Sequence, residues 1–62
     1  MTPDEAMKAV EDQARVRLTW VQGDTRAEGR IISYSIVPVV TIETDDGERV
    51  SWRHDMAERI EP

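Results

Sequence analysis

A chain of 62 residues has room for one domain, and a domain of that size buries only about 60% of its unfolded surface, so large apolar residues are needed for the core before they are free for a site. It has no cysteine, which excludes disulfide staples and thiolate zinc sites. The net charge of −5 works against nonspecific contact with phosphate backbones.

Thr2-Pro3-Asp4-Glu5 carries helix-start signals: Thr2 as N-cap, Pro3 at the first helical position and Glu5 completing a capping box. Pro3, Met7, Val10 and Ala14, with Ala6 beside them, form a narrow apolar stripe at helical period. These predict a helix over about residues 3–13. From Ala14 the period becomes two, with Ala14, Val16, Leu18 and Trp20 on one face and Arg15, Arg17 and Thr19 on the other, which predicts a strand over 14–21. Gln22-Gly23-Asp24-Thr25 reads as a turn.

Residues 26–36 are long enough for one bent strand whose apolar residues change face at Ile31-Ile32, and Gly29 permits the bend or bulge. Pro38 belongs at an edge or a strand start, and a third strand follows over 39–44. Asp46-Gly47 predicts a two-residue type I′ hairpin into a fourth strand over 48–53. His54-Asp55-Met56 reads as a 3₁₀ turn before a last strand over 57–61 anchored by Ile60. The expected core is Val16, Leu18, Trp20, Ile31, Val40, Ile42, Val50, Trp52 and Ile60. No linker or repeat divides the chain, which reads as a single domain over 1–62. No segment opens it as a leader or reaches the roughly 18 apolar residues of a membrane span.

The segment from Gly29 to Ile42 resembles the first motif of Sm-like proteins, with Gly29 at the bending glycine, Ile31 at the aliphatic and Tyr34 at the aromatic position. The resemblance implies a mainly β fold with one N-terminal helix, a five-stranded, strongly bent antiparallel barrel of SH3-like or Sm-like type. The nucleotide pocket of Sm-like proteins does not carry over. Ser35 stands where that pattern has an acid and Val39 where it has asparagine, and 48–53 contains no glycine. Val16-Arg17-Leu18, Glu28-Gly29-Arg30-Ile31-Ile32, the Asp46-Gly47 hairpin and Trp52 are also similar to short proteins of actinobacteria and their phages, which brings no activity with it. A cytoplasmic setting is expected, in the host cytoplasm or the virion if the chain is phage-encoded.

No constellation points to catalysis. His54 is the only histidine, beside Asp55 and three residues after Ser51, with no hydrolase motif around it, so the expectation is that the chain is not an enzyme and takes no cofactor. Asp45, Asp46 and Glu48 lack calcium-loop spacing and suit turn chemistry, so no metal is expected. Arg15, Arg17, Arg30, Arg49 and Arg53, with Tyr34 as a stacking platform, are the candidate residues for a nucleic-acid-binding alternative. The interleaved Glu28, Glu43, Glu48 and Asp55 suit a solvated face of charge pairs instead.

Five apolar residues exceed what the core needs: Val21, Ile32, Ile36, Val37 and Val39. Either the helix and the barrel's curvature bury them, or they form an interface. Ile32, Ile36, Val37, Pro38 and Val39 are therefore the candidate protein interface, beside a proline-marked edge. The leading functional expectation is a non-catalytic module that binds a protein partner or assembles with itself, with a structural adaptor or decoration role as a further alternative.

Overall fold

The computed structural model describes residues 1–35 and 39–60. Helix α1 (Pro3–Asp12) opens with the expected capping box: the Glu5 amide donates to the Thr2 hydroxyl at 3.2 Å, and the Thr2 amide to Glu5 Oε1 at 2.9 Å. It ends where Gln13 turns left-handed at φ 53°, donating its amide to Val10, while the Ala14 amide reaches back to Ala9. These two bonds satisfy carbonyls that the last helical turn leaves open.

The expected stripe is buried only in part: Ala6 and Ala14 are inside, while Pro3 and Met7 are exposed. Ala6 and Ala9 are fully buried, Val10 is half-buried, and Met7 points outward at 53% exposure. Two alanines on one face let the helix lie close against the sheet, which a methionine would hold off.

Five strands follow: β1 (Arg15–Thr19), β2 (Thr25–Ser35), β3 (Val39–Thr44), β4 (Arg49–Arg53) and β5 (Ala57–Arg59). They form one antiparallel sheet in the order β4-β3-β2-β1-β5. The two edge strands are consecutive in the chain and joined by a single 3₁₀ turn, His54–Met56. Laid flat, five strands put their edges about 19 Å apart, while three 3₁₀ residues advance only about 6 Å. The sheet therefore curls, although among the described residues no ladder joins β4 to β5. The Trp52 indole N–H of β4 instead reaches the Thr19 carbonyl of β1 at 2.9 Å.

Two bulges in β2 shape this curl. Ile31 pairs with Ile42 and Ser33 with Thr41, leaving Ile32 as the extra residue. Leu18 pairs with Ala27 and Thr19 with Thr25, leaving Arg26 as the second. The expected change of face at Ile31-Ile32 is thus a bulge, after which Tyr34 shares the inner face with Val40. Gly29 serves by close approach: a Cβ there would lie 2.2 Å from the Glu43 carbonyl oxygen.

The 45–47 turn is not a two-residue type I′ hairpin. The Gly47 amide donates to Thr44, Thr44 and Glu48 close the loop, and only Gly47 has positive φ. This is a three-residue loop ending in a left-handed residue. The Trp20–Asp24 turn repeats it, with Gly23 in the same role.

The buried core consists of Ala6, Ala9, Ala14, Val16, Leu18, Ile31, Val40, Ile42 and Ala57. Val50 and Trp52 pack against it half-buried, and Ile60 is half-buried, its amide bonded to the Arg15 carbonyl. Trp20, expected inside, is 41% exposed. Strand β1 stops one residue short of it, so the inward phase of Val16 and Leu18 does not extend to Trp20. No described helix is long and apolar enough to cross a membrane.

Candidate interaction surface

The expected sites fall on different parts of the sheet. On the outer face, Arg17 bridges Glu58 at 3.1 Å and Glu28 at 3.6 Å, Arg15 pairs with Asp45 at 3.0 Å, and Arg49 lies 4.0 Å from Glu43. Arg30 sits in register between Arg15 and Glu43. Arg53 holds Asp55 through two bonds, of 2.9 and 2.6 Å. Most of these arginines therefore have an acid beside them, although Arg15 and Arg30 stand opposite each other. Tyr34 does not join them: it lies on the inner face, packed against the core, with its ring edge-on to His54.

The acids feel these partners. The Arg15 guanidinium holds Asp45 below the ordinary aspartate range, and Arg53 does the same for Asp55. Asp46 is lowered by the Thr44 hydroxyl and by the Glu48 amide.

His54, Ser51 and Asp55 do not converge. His54 Nδ1 donates to the Met1 carbonyl at 2.6 Å, Ser51 shares a hydrogen bond with Thr41, and Asp55 is taken by Arg53. The Met1 amine in turn donates to the carbonyls of His54 and Ala57, so these groups tie the chain start to the 3₁₀ turn.

Of the expected apolar interface, Ile32 and Val39 are half-buried, while Ile36, Val37 and Pro38 lie outside the described residues. Among the described residues the large hydrophobic side chains facing solvent are Met7, Trp20 and Val21, the last at 78% exposure. Trp20, which Val21 follows in the chain, adjoins Trp52, whose ring meets that of Trp20 edge to face at 5.1 Å between centroids and 83° between planes.

Three local features build this corner. The three-residue loop after β1 turns Val21 outward at its tip. The Thr19 carbonyl fixes the Trp52 indole. The β2 bulge places Arg26 with its guanidinium carbon 4.4 Å from the Trp52 centroid and 5.2 Å from that of Trp20. A bulge that re-aims a side chain beside a site is a recurrent device, and a guanidinium at these distances is held by the ring quadrupoles.

Sequence periodicity placed both tryptophans in the core and left Val21 over; only Val21 signalled this surface. Compared with family models, curated proteins and solved structures, the chain matches none.

Proposed function

We propose that the chain is a non-catalytic small barrel of SH3-like or Sm-like type that binds a protein partner through the Trp20–Val21–Trp52 corner. The barrel is supported by the strand order, the 3₁₀ turn joining the two edges and the Trp52 to Thr19 bond across the curl. The observation that carries the binding role is the exposed Trp20 beside Val21. Tryptophan is the residue type most enriched where protein interfaces gain their energy, and here a largely exposed valine extends the same apolar surface. The pairing of Arg15, Arg17 and Arg49 with acids on the outer face disfavours a phosphate track there.

A photo-crosslinking amino acid at Val21, in the native host, tests the proposal. Adducts to protein are expected, and they should disappear when Trp20→Ala is added while circular dichroism is unchanged. Adducts indifferent to Trp20, adducts on nucleic acid alone, or none at all would overturn it.

A further inference from the structure

Arg26 differs from most cations of this chain. Lys8, Arg15, Arg17, Arg49, Arg53 and Arg59 each have a carboxylate within 4.0 Å. Arg30 has none among the described residues but lies across the ladder from Glu43. Arg26 has no hydrogen bond or ion pair among the described residues, in a chain with 13 acidic and eight basic side chains.

Its guanidinium is nevertheless positioned, by the bulge and by two indole rings. The ring faces attract its charge and accept none of its N–H donors as a carboxylate would, so those donors, which no described residue takes, stay open. A planar fork held in place with open donors suits a carboxylate, which it can take through two parallel bonds. Trp20 and Val21 supply apolar surface beside it.

We infer that the corner recognises an acidic side chain, Asp or Glu, next to a large apolar side chain on an exposed segment of the partner protein. The carboxylate pairs with Arg26, and the apolar neighbour lies on Trp20 and Val21. This rests on the protein-binding role proposed above and names the chemistry it selects. A nucleic acid would also offer an anion and a flat ring. It would need a run of unpaired cations to follow its backbone, and the other arginines named above are mostly matched to acids in a chain of net charge −5.

Both tryptophans of the chain are in this corner, so intrinsic fluorescence reports on it directly. End-blocked peptides Gly-Leu-Glu-Leu-Gly and Gly-Leu-Gln-Leu-Gly, and a short oligothymidylate, are titrated against the wild type, Arg26→Gln and Arg26→Met. The glutamate peptide should change the emission saturably and bind about tenfold or more tightly than the glutamine peptide, the difference expected of a charge-assisted hydrogen bond. That preference should vanish in both Arg26 variants and shrink with added salt. Equal binding of the two peptides, no response to either up to about 100 mM, or tighter binding of oligothymidylate would overturn the assignment. If the peptides bind equally while the Trp20-dependent crosslinks from Val21 persist, the carboxylate assignment fails and the protein-binding role stands. If the crosslinks are lost as well, both fail.

Discussion

Replacing Gly29 by alanine isolates a steric demand from a conformational one. The added Cβ would lie 2.2 Å from the Glu43 carbonyl oxygen, 2.7 Å from its carbon and 2.9 Å from Thr44 Cα. All three are backbone atoms, so no side chain can swing away, and β2 and β3 must separate by about 1 Å to restore van der Waals contact. Overpacking of this kind costs about 1–3 kcal/mol, and each ladder bond broken adds about 1 kcal/mol. The total stability expected for a chain of 62 residues is only about 3–9 kcal/mol, so Gly29→Ala should remove much of it. Gly23 and Gly47 are the comparison, because a Cβ at either meets nothing within 4 Å but both have positive φ, 98° and 88°. Alanine there should cost about 1–2 kcal/mol. Urea titrations of the three variants, followed by circular dichroism, measure the order directly. A Gly29→Ala protein as stable as Gly47→Ala would refute the close approach of β2 and β3.

The helix terminus offers a gain. Gln13 is the only non-glycine residue at positive φ among the described residues, so Gln13→Gly should raise stability by about 0.5–1 kcal/mol, read as a melting temperature higher by several degrees; an unchanged or lower one would contradict the left-handed cap. Acid should weaken the fold. Asp12, held low by the Arg59 guanidinium, and Asp45, Asp46 and Asp55 all lie below the ordinary 3.8, as does Glu5 below 4.5 through its bond to the Thr2 amide. A carboxylate with a depressed folded pKa binds its proton more tightly in the unfolded chain. Its contribution is complete above the unfolded value and is lost as pH falls through the folded one. Urea midpoints should therefore fall steadily from about pH 5 toward pH 2, and a flat series would show these pairs to be uncoupled from folding.

The sequence made the local devices legible and left their consequences hidden. Thr2, Pro3 and Glu5 act within one helical turn, so the start of α1 could be read directly. The alternation in 15–18 marked the inner face of β1 correctly, because Val16 and Leu18 answer only to that strand. Bulges are different: whether Arg26 or Ile32 is the extra residue depends on the neighbouring strand's register, which no single strand encodes. That is why Trp20 read as core and Arg26 drew no notice. Met7 failed for a similar reason, since the helix could turn either a large or a small apolar face to the sheet, and only packing distance decides. Asp46-Gly47 correctly announced a hairpin, but Gly47 alone is left-handed, so one more residue entered the loop.

The packing of the core bears on what the corner can do. Four of the nine buried hydrophobic side chains among the described residues are alanine, so the largest side chains described lie outside the fully buried set. Trp20 keeps 41% of its surface in water. Given the 150–250 Å² a tryptophan can bury, a partner could cover somewhat under about 100 Å² there, worth about 2 kcal/mol. Val21, at 78% exposure, retains most of the ~1.5–3 kcal/mol that burying a valine yields. Together these reach about 4 kcal/mol, which is comparable to the lower bound of what association costs in lost translational and rotational freedom. The apolar surface therefore cannot hold a partner alone. A bond to Arg26 adds about 1.5–3 kcal/mol, which leaves the corner on its own with a Kd of roughly 5–100 mM. It follows that a tight complex needs contacts beyond these residues, and that a short peptide should bind the isolated corner weakly while still reading the charge at Arg26.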